Sequence, residues 1–219
     1  MTSNGMGKIR LGDNMYRIIF TIIAATGYAA NADIVRVDEF SSLQFEGFND
    51  VEMKTFDRDP VSIFDGMAQM LNTKGSFLHT TGGWSFGSGD WRGRANAYEG
   101  SKMLGTSSGG VEYQFNFSQK SFGGFFATIA NIPDAKINFY NGEILVGSDT
   151  LNAAVRGEWS WNGWSSDAEF DRVTVDSNYE NRGGFLMHDA VRVLGTEVPT
   201  QGSATIFALG IIIATRRRR

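Results

Sequence analysis

The sequence has no cysteine, three prolines and two histidines among its 219 residues. Without cysteine there is no disulfide, no thiolate metal site and no cysteine nucleophile. The chain must therefore be held by its packed core or by a metal ion. The two histidines, His79 and His188, show neither H-x-H nor H-x-x-x-H spacing, and no G-x-S-x-G elbow accompanies either. They read as ordinary residues, His79 in a turn-rich segment and His188 on the polar parity of a strand. Proline is too scarce for a disordered linker protein. Basic residues are scarce in the middle of the chain. From Asp33 to Gly195 there are 13 Lys/Arg against 22 Asp/Glu, a net of −9. An acidic body lacks the positive surface that displaces counterions from phosphates, which argues against nucleic-acid partners.

What is plentiful is glycine, at 27 residues, and aromatics, at 13%. Both suit an all-β fold with many tight turns. In "VEYQFNF", Val111, Tyr113, Phe115 and Phe117 alternate with Glu112, Gln114 and Asn116, the period-two pattern of a half-buried strand. "KINFYNGEILVG" predicts a hairpin turning at Asn141-Gly142, the favoured pair for a type I′ turn. Further strands are expected in "LQFEGF", "FGGFFATI", "GEWSW", "DRVTV" and "GFLMHDAVRV". Such short strands punctuated by Gly, Asn, Asp and Ser predict a jelly-roll β-sandwich over 33–195. Apolar residues at 61, 64, 67, 70 and 71 suggest one short helix or helical turn.

The ends differ from the body. Lys8, Arg10 and Arg17 precede the apolar stretch Ile18 to Ala25, and the A-x-A pattern Ala30-Asn31-Ala32 follows. This order predicts a secretory signal peptide over 1–32, cut before Asp33, with Met15 as a more compact start. At the other end stand Val198-Pro199, then Gly202, then twelve mostly apolar residues from Ala204 to Thr215, then Arg216, Arg217, Arg218 and Arg219. As a helix those twelve span about 18 Å, against about 30 Å of bilayer hydrocarbon. Flanking residues could extend the span, with the arginines on the cytoplasmic side. Segment 196–219 therefore reads as a brief membrane stop.

This tail resembles the PEP-CTERM sorting signal. The resemblance covers about 22 residues. Gln201 stands where that family usually has a second proline. The resemblance implies recognition and removal of the tail by an exosortase, in bacteria that make exopolysaccharide. The body, with its early "FEGF", its central "VEYQFNFSQKSFGGFF", its "WNGW" and its late "FDRVTV", is similar to jelly-roll ectodomains that precede such tails. These resemble lectins and carbohydrate-binding modules. Together they imply a secreted, non-enzymatic protein of the cell envelope or extracellular matrix, transiently held in the membrane.

Three sets of residues are candidates for chemistry. Trp84, Trp91, Trp159, Trp161 and Trp164 could stack on sugar rings, or could complete the core. This makes a carbohydrate-binding module with a polysaccharide partner the alternative function. Asp167, Glu169 and Asp171 alternate on one strand, as the acids of jelly-roll glycosidases do. They read D-x-E-x-D where those enzymes usually read E-x-D-x-E, so a glycoside hydrolase comes a distant third. In lectin-like jelly rolls a Glu near the first strand and an Asp in the last often meet at a structural calcium. The matching residues are Glu46 and Asp189. Asp189 shares strand parity with Phe185, Met187, Val191 and Val193, so it needs a partner: calcium, a salt bridge, a backbone hydrogen bond, or a bulge that turns it outward.

Overall fold

The structure, a computed structural model, describes residues 32–56, 59–73, 77–86, 93–107, 110–128, 134–177 and 185–195. The expected signal segment up to Asn31 and the sorting tail, with Val198, Pro199, Gly202 and Arg216 to Arg219, lie outside the described residues. Trp91 lies outside them as well.

The strands are β1 (Ile34–Arg36), β2 (Gln44–Glu46), β3 (Thr55–Phe56), β4 (Val61–Ile63), β5 (Ala68–Thr73), β6 (Phe77–Thr81) and β7 (Gly83–Phe86). They continue as β8 (Gly93–Asn96), β9 (Met103–Ser107), β10 (Gly110–Thr128), β11 (Asp134–Asn141), β12 (Ile144–Asn152), β13 (Ser160–Ser177) and β14 (Phe185–Gly195). Among the described residues the helical pieces are single 3-10 turns, Phe64–Gly66 and Val155–Gly157. No helix there is long and apolar enough to cross a membrane.

The fold is an all-β sandwich organised by two long strands. β10 and β13 pair antiparallel along most of their lengths, with register shifts between Gln114 and Gln119 and between Gln119 and Ser121. Before these bulges, β10 runs between β5 and β13, and β11 and β12 extend that layer. After them, β10 runs between β13 and β14, and β9, β6 and β3 extend the second layer. β2 pairs with the far end of β14, and β1 pairs with β13. Bulges bend and twist a strand, which lets one strand serve both layers.

The inner faces meet in an aromatic core. Phe122 of the second layer lies 5.4 Å from Tyr113 and 6.5 Å from Phe139, both of the first. Full burial of each such ring contributes roughly 1.5–3 kcal/mol. The alternation expected in "VEYQFNF" is present: Val111, Tyr113 and Phe115 are buried, Gln114 and Asn116 exposed. Phe117 is half-buried, because the bulge region has begun.

Two expectations need correction. In the segment 61–71 no α-helix forms, and the helical turn there is the single 3-10 turn Phe64–Gly66. β4 and β5 pair there around a tight turn, Val61 opposite Met70 and Ile63 opposite Ala68. Phe64, Asp65 and Gly66 all have positive φ, so the run of apolar spacing is broken by a reversal that a helix does not contain. The β11–β12 hairpin forms, but its loop lies one residue later. Asn141 still pairs with Ile144, and Gly142 takes the first loop position with φ 56°. A bulge between Phe139 and Tyr140 shifts the register to permit this.

Candidate functional site: an aromatic strip on the outer face

In an antiparallel pair, residues directly opposite share a face. Gly123 lies opposite Gly163 and Phe125 opposite Trp161 across β10–β13. Gly123 also lies opposite Arg192 across β10–β14, and Arg192 lies opposite Phe45 across β14–β2. These residues therefore share the outer face of the second layer, while Phe122 and Phe126 point into the core.

The glycines form a floor for Trp161. A Cβ on Gly123 would come 2.6 Å from an indole carbon, and one on Gly163 would come 2.7 Å from the indole nitrogen. Only bare backbone lets the ring lie there. Its Nε1 donates to the Val37 carbonyl at 3.1 Å. Phe40 and Phe125 meet the indole edge-on, at 5.4 and 5.5 Å. The Arg192 guanidinium sits over both the Trp161 ring, at 5.5 Å, and the Phe45 ring, at 5.7 Å. It is fixed by Glu39 Oε1 at 2.6 Å and the Phe40 carbonyl at 2.9 Å.

The strip continues through Tyr98, which stacks on Phe125 with centroids 3.7 Å apart and planes at 16°. Trp159 is 6.1 Å beyond Tyr98 and donates its Nε1 to the Asn96 carbonyl at 3.0 Å. Tyr98 is 45% exposed and Phe45 36%, whereas Phe125 is 7% exposed, so Phe125 is a base on which Tyr98 presents its outer ring face. The next part of the same sheet face is closed. There Met103, Ala127 and Met187 pack with Ala95 of the β7–β8 hairpin, and Trp84 and Trp159 lie against them.

The predicted tryptophans thus separate. Trp161 and Trp159 belong to the open strip. Trp84 is half-buried over Gly105 and edge-on to His79 at 5.3 Å, beside an open groove of about 440 Å³ lined by Lys54, Thr55 and Thr81. Trp164 is a correction: it is fully buried, packed among Phe122, Phe126 and Phe139. Its Nε1 donates to Asp149 Oδ2 at 2.7 Å, and Asp149 pairs with Arg36 at 3.0 Å. It stands three positions after Trp161, and an odd offset on a strand means opposite faces.

Glu46 and Asp189 are both used to capture backbone. Glu46 accepts from the Phe48 N–H through Oε1 and from the Phe64 N–H through Oε2, each at 2.6 Å. It lines an acidic pocket with Asp50 and Asp65, and Asp189 is not among the residues lining it. Burial, aided by Asp65 and Asp50, raises its pKa against the lowering effect of the amides. Asp189 is fully buried. Its Oδ2 accepts from the Tyr98 N–H at 2.7 Å and the Glu99 N–H at 3.2 Å, and its Oδ1 accepts from the Ala190 N–H at 2.7 Å. Desolvation by burial pushes its pKa up to about 6. The two carboxylates thus hold backbone of different segments, Glu46 that of Phe48 and Phe64, Asp189 that of Tyr98, Glu99 and Ala190. Among the described residues no group of three or more His, Cys, Asp or Glu is placed to hold an ion.

The parity expected for β14 is also corrected. Ala190 has φ 48°, and the β10–β14 register shifts between Gly123 and Phe125. This bulge puts Met187 and Asp189 on the outer face and His188 in the core. His188 is fully buried, with Nδ1 2.9 Å from the Tyr113 hydroxyl and no partner for Nε2 among the described residues. Burial pushes its pKa down to about 3, and burial raises that of the Tyr113 phenol well above its ordinary value. His79 is half-buried, its Nδ1 2.7 Å from the Thr55 hydroxyl.

Of the alternating acids, two hold loops. Asp171 accepts from the Gly142 N–H with both oxygens, at 3.0 and 3.2 Å, and Asp167 accepts from the Asp33 N–H at 3.0 Å. The Glu169 carbonyl accepts from Asn141 at 3.3 Å. At the expected signal cleavage point, the Ala32 N–H donates to the Val146 carbonyl at 3.0 Å, and β1 begins two residues later.

No protein-family model matches the chain, and no curated protein matches it. Several solved structures are similar in fold. One is a family 61 carbohydrate-binding module solved with β-1,4-galactotriose, 12% identical, TM-score 0.36, covering 58% of this chain and 88% of that one. A second is the xylan-binding family 22 module of Paenibacillus barcinonensis Xyn10C, 13% identical, TM-score 0.38, covering 58% and 87%. A third is the K2 cleaved adhesin domain of Lys-gingipain, 14% identical, TM-score 0.40, covering 68% and 97%. At such identities none of them assigns a ligand to this chain.

Proposed function

We propose that the sandwich binds carbohydrate through the strip Tyr98–Phe125–Trp161. The observation that carries this reading is an aromatic row fixed on a sheet face, with Tyr98 at one end 45% exposed. A sugar ring presents axial C–H groups to the negative face of an aromatic ring, and stacking of that kind holds the ring without reading its hydroxyls. Beside the strip, the guanidinium of Arg192 supplies N–H donors for hydroxyl groups. We read the activity as binding without cleavage; of the alternating acids, Asp167 holds the Asp33 N–H and Asp171 the Gly142 N–H.

The two ends give this activity a place. The segment before Asp33 exports the chain, the tail stops it in the membrane, and an exosortase removes the tail. The sandwich then remains in the envelope or the polysaccharide matrix. The mass of the mature protein tests this part: surface material that keeps the four terminal arginines overturns it.

Affinity electrophoresis through gels containing soluble neutral β-glycans tests the binding site. Retardation of the wild type that falls about tenfold in affinity in Trp161→Ala and in Tyr98→Ala is the expected result. Mobility unaffected by every glycan in the panel refutes the reading, as does retardation unchanged in both variants.

A further inference from the structure

We infer that Asp189 is the positioning residue of the sugar platform: from beneath, it holds the loop that carries Tyr98. The inference rests on the carbohydrate reading for its functional consequence and on the geometry for its physical content.

The loop from Ala97 to Lys102 begins with the Ala97 N–H donating to the Gly82 carbonyl at 3.4 Å, and side chains then hold it at two points. Its start is attached by Asp189, whose Oδ2 accepts both the Tyr98 and Glu99 N–H groups. Its end is attached by Asn49, whose Oδ1 accepts the Ser101 N–H at 2.7 Å, while the Lys102 ammonium donates to the Asn49 and Val51 carbonyls at 2.6 and 2.7 Å. Between the two points Gly100 turns with φ 68°. Asp189 lies directly opposite Phe125 on the same sheet face. One strand position thus places both the carboxylate that takes the Tyr98 amide and the ring on which the Tyr98 side chain lies. The bulge at Ala190 is what brings Asp189 to this face; without it the carboxylate would stay on the core parity.

A carboxylate accepting two adjacent amides gives charge-assisted bonds, stronger than neutral ones. It fixes the backbone of Tyr98, and Phe125 fixes the ring. A platform set in advance does not lose that freedom when ligand binds, so affinity depends on the clamp although Asp189 never touches the sugar.

The test uses the full chain, with Asp189→Asn, Tyr98→Ala and the double variant Asp189→Asn/Tyr98→Ala. The first readout is amide hydrogen exchange. Exchange at Tyr98 and Glu99 should quicken about tenfold or more in Asp189→Asn, with β10 and β13 amides unchanged. The second is affinity for the neutral β-glycan that retards the wild type. Asp189→Asn should weaken it about as much as Tyr98→Ala does, and the double variant should weaken it no further, since both remove one platform. The third is wild type in EDTA, which should behave as untreated protein. Unchanged exchange at Tyr98 and Glu99 overturns the inference. So does an additive double variant, or EDTA reproducing the Asp189→Asn effect. If the wild type binds no glycan in the panel, the carbohydrate reading falls, and the exchange data still decide whether Asp189 holds the loop.

Discussion

Asp189 also makes a prediction about stability that needs no ligand. Its carboxyl has an ordinary pKa of 3.8 and is raised to about 6 in the fold, chiefly by burial. The folded protein therefore binds this proton more tightly than the unfolded chain does. The resulting contribution is fully present below pH 3.8 and is lost as the pH rises through about 6. The two values differ by about 2.2 units, which at 1.36 kcal/mol per unit makes the whole effect about 3 kcal/mol. Most of it, about 2 kcal/mol, is gained between pH 7 and pH 4.5. His188 works in the opposite direction: its pKa is pushed down to about 3, so its contribution falls as the pH drops below about 6.5. The informative quantity is thus the difference between the wild type and Asp189→Asn, in which His188 cancels. Thermal unfolding at the two pH values should show the wild type gaining about 4–8 °C on the variant at pH 4.5 relative to pH 7. A constant difference, or one that moves the other way, refutes the claim that desolvation dominates at this carboxylate.

Other outcomes follow from packing. Trp164→Ala should cost about 3–5 kcal/mol in denaturant unfolding, because the ring is fully buried and its loss leaves a cavity. Glycan affinity of the protein that remains folded should be unchanged. Gly123→Ala places a methyl within 2.6 Å of the Trp161 ring, so it should cost about 1–3 kcal/mol and displace the indole, read as a shift in tryptophan emission. Tyr113→Phe should destabilise by about 1–3 kcal/mol, since it removes the hydrogen bond between the phenol and the buried His188 imidazole. The double change Tyr113→Phe/His188→Leu should recover part of that loss, because it removes both polar groups together.

Much of the fold was legible because strand periodicity is local. Val111, Tyr113 and Phe115 announce their buried face within seven residues, and the "NG" pair marks its hairpin to within one position. Features created by a bulge were harder to read, because an extra residue reverses parity without a mark of its own in the sequence. For Asp189 an outward-turning bulge was one of several open alternatives, and for His188, read on the polar parity, the same bulge reverses the face. The tryptophans were partly legible: Trp161 and Trp164 differ by three positions, and that alone puts them on opposite faces of one strand. Tyr98 could not be found this way. Its partner Phe125 is distant in sequence, and its clamp is on the last strand.

The division of the outer face argues that the strip is a surface made for contact. Where Met103, Ala127 and Met187 lie on this face, the chain folds the β7–β8 hairpin back over them. Where Phe125 and Trp161 lie, no strand among the described residues covers them: Tyr98 stacks on Phe125, and Phe40 and Arg192 lie against Trp161. Aromatics that merely finish a core are covered by the same chain, as Trp164 is. Tyr98 is instead half-exposed and yet fixed at both its backbone and its ring. Holding an exposed side chain still costs conformational entropy with little burial in return. The stack on Phe125 offsets part of that cost, and on the proposed carbohydrate reading a flat apolar sugar face would cover the rest of the Tyr98 ring.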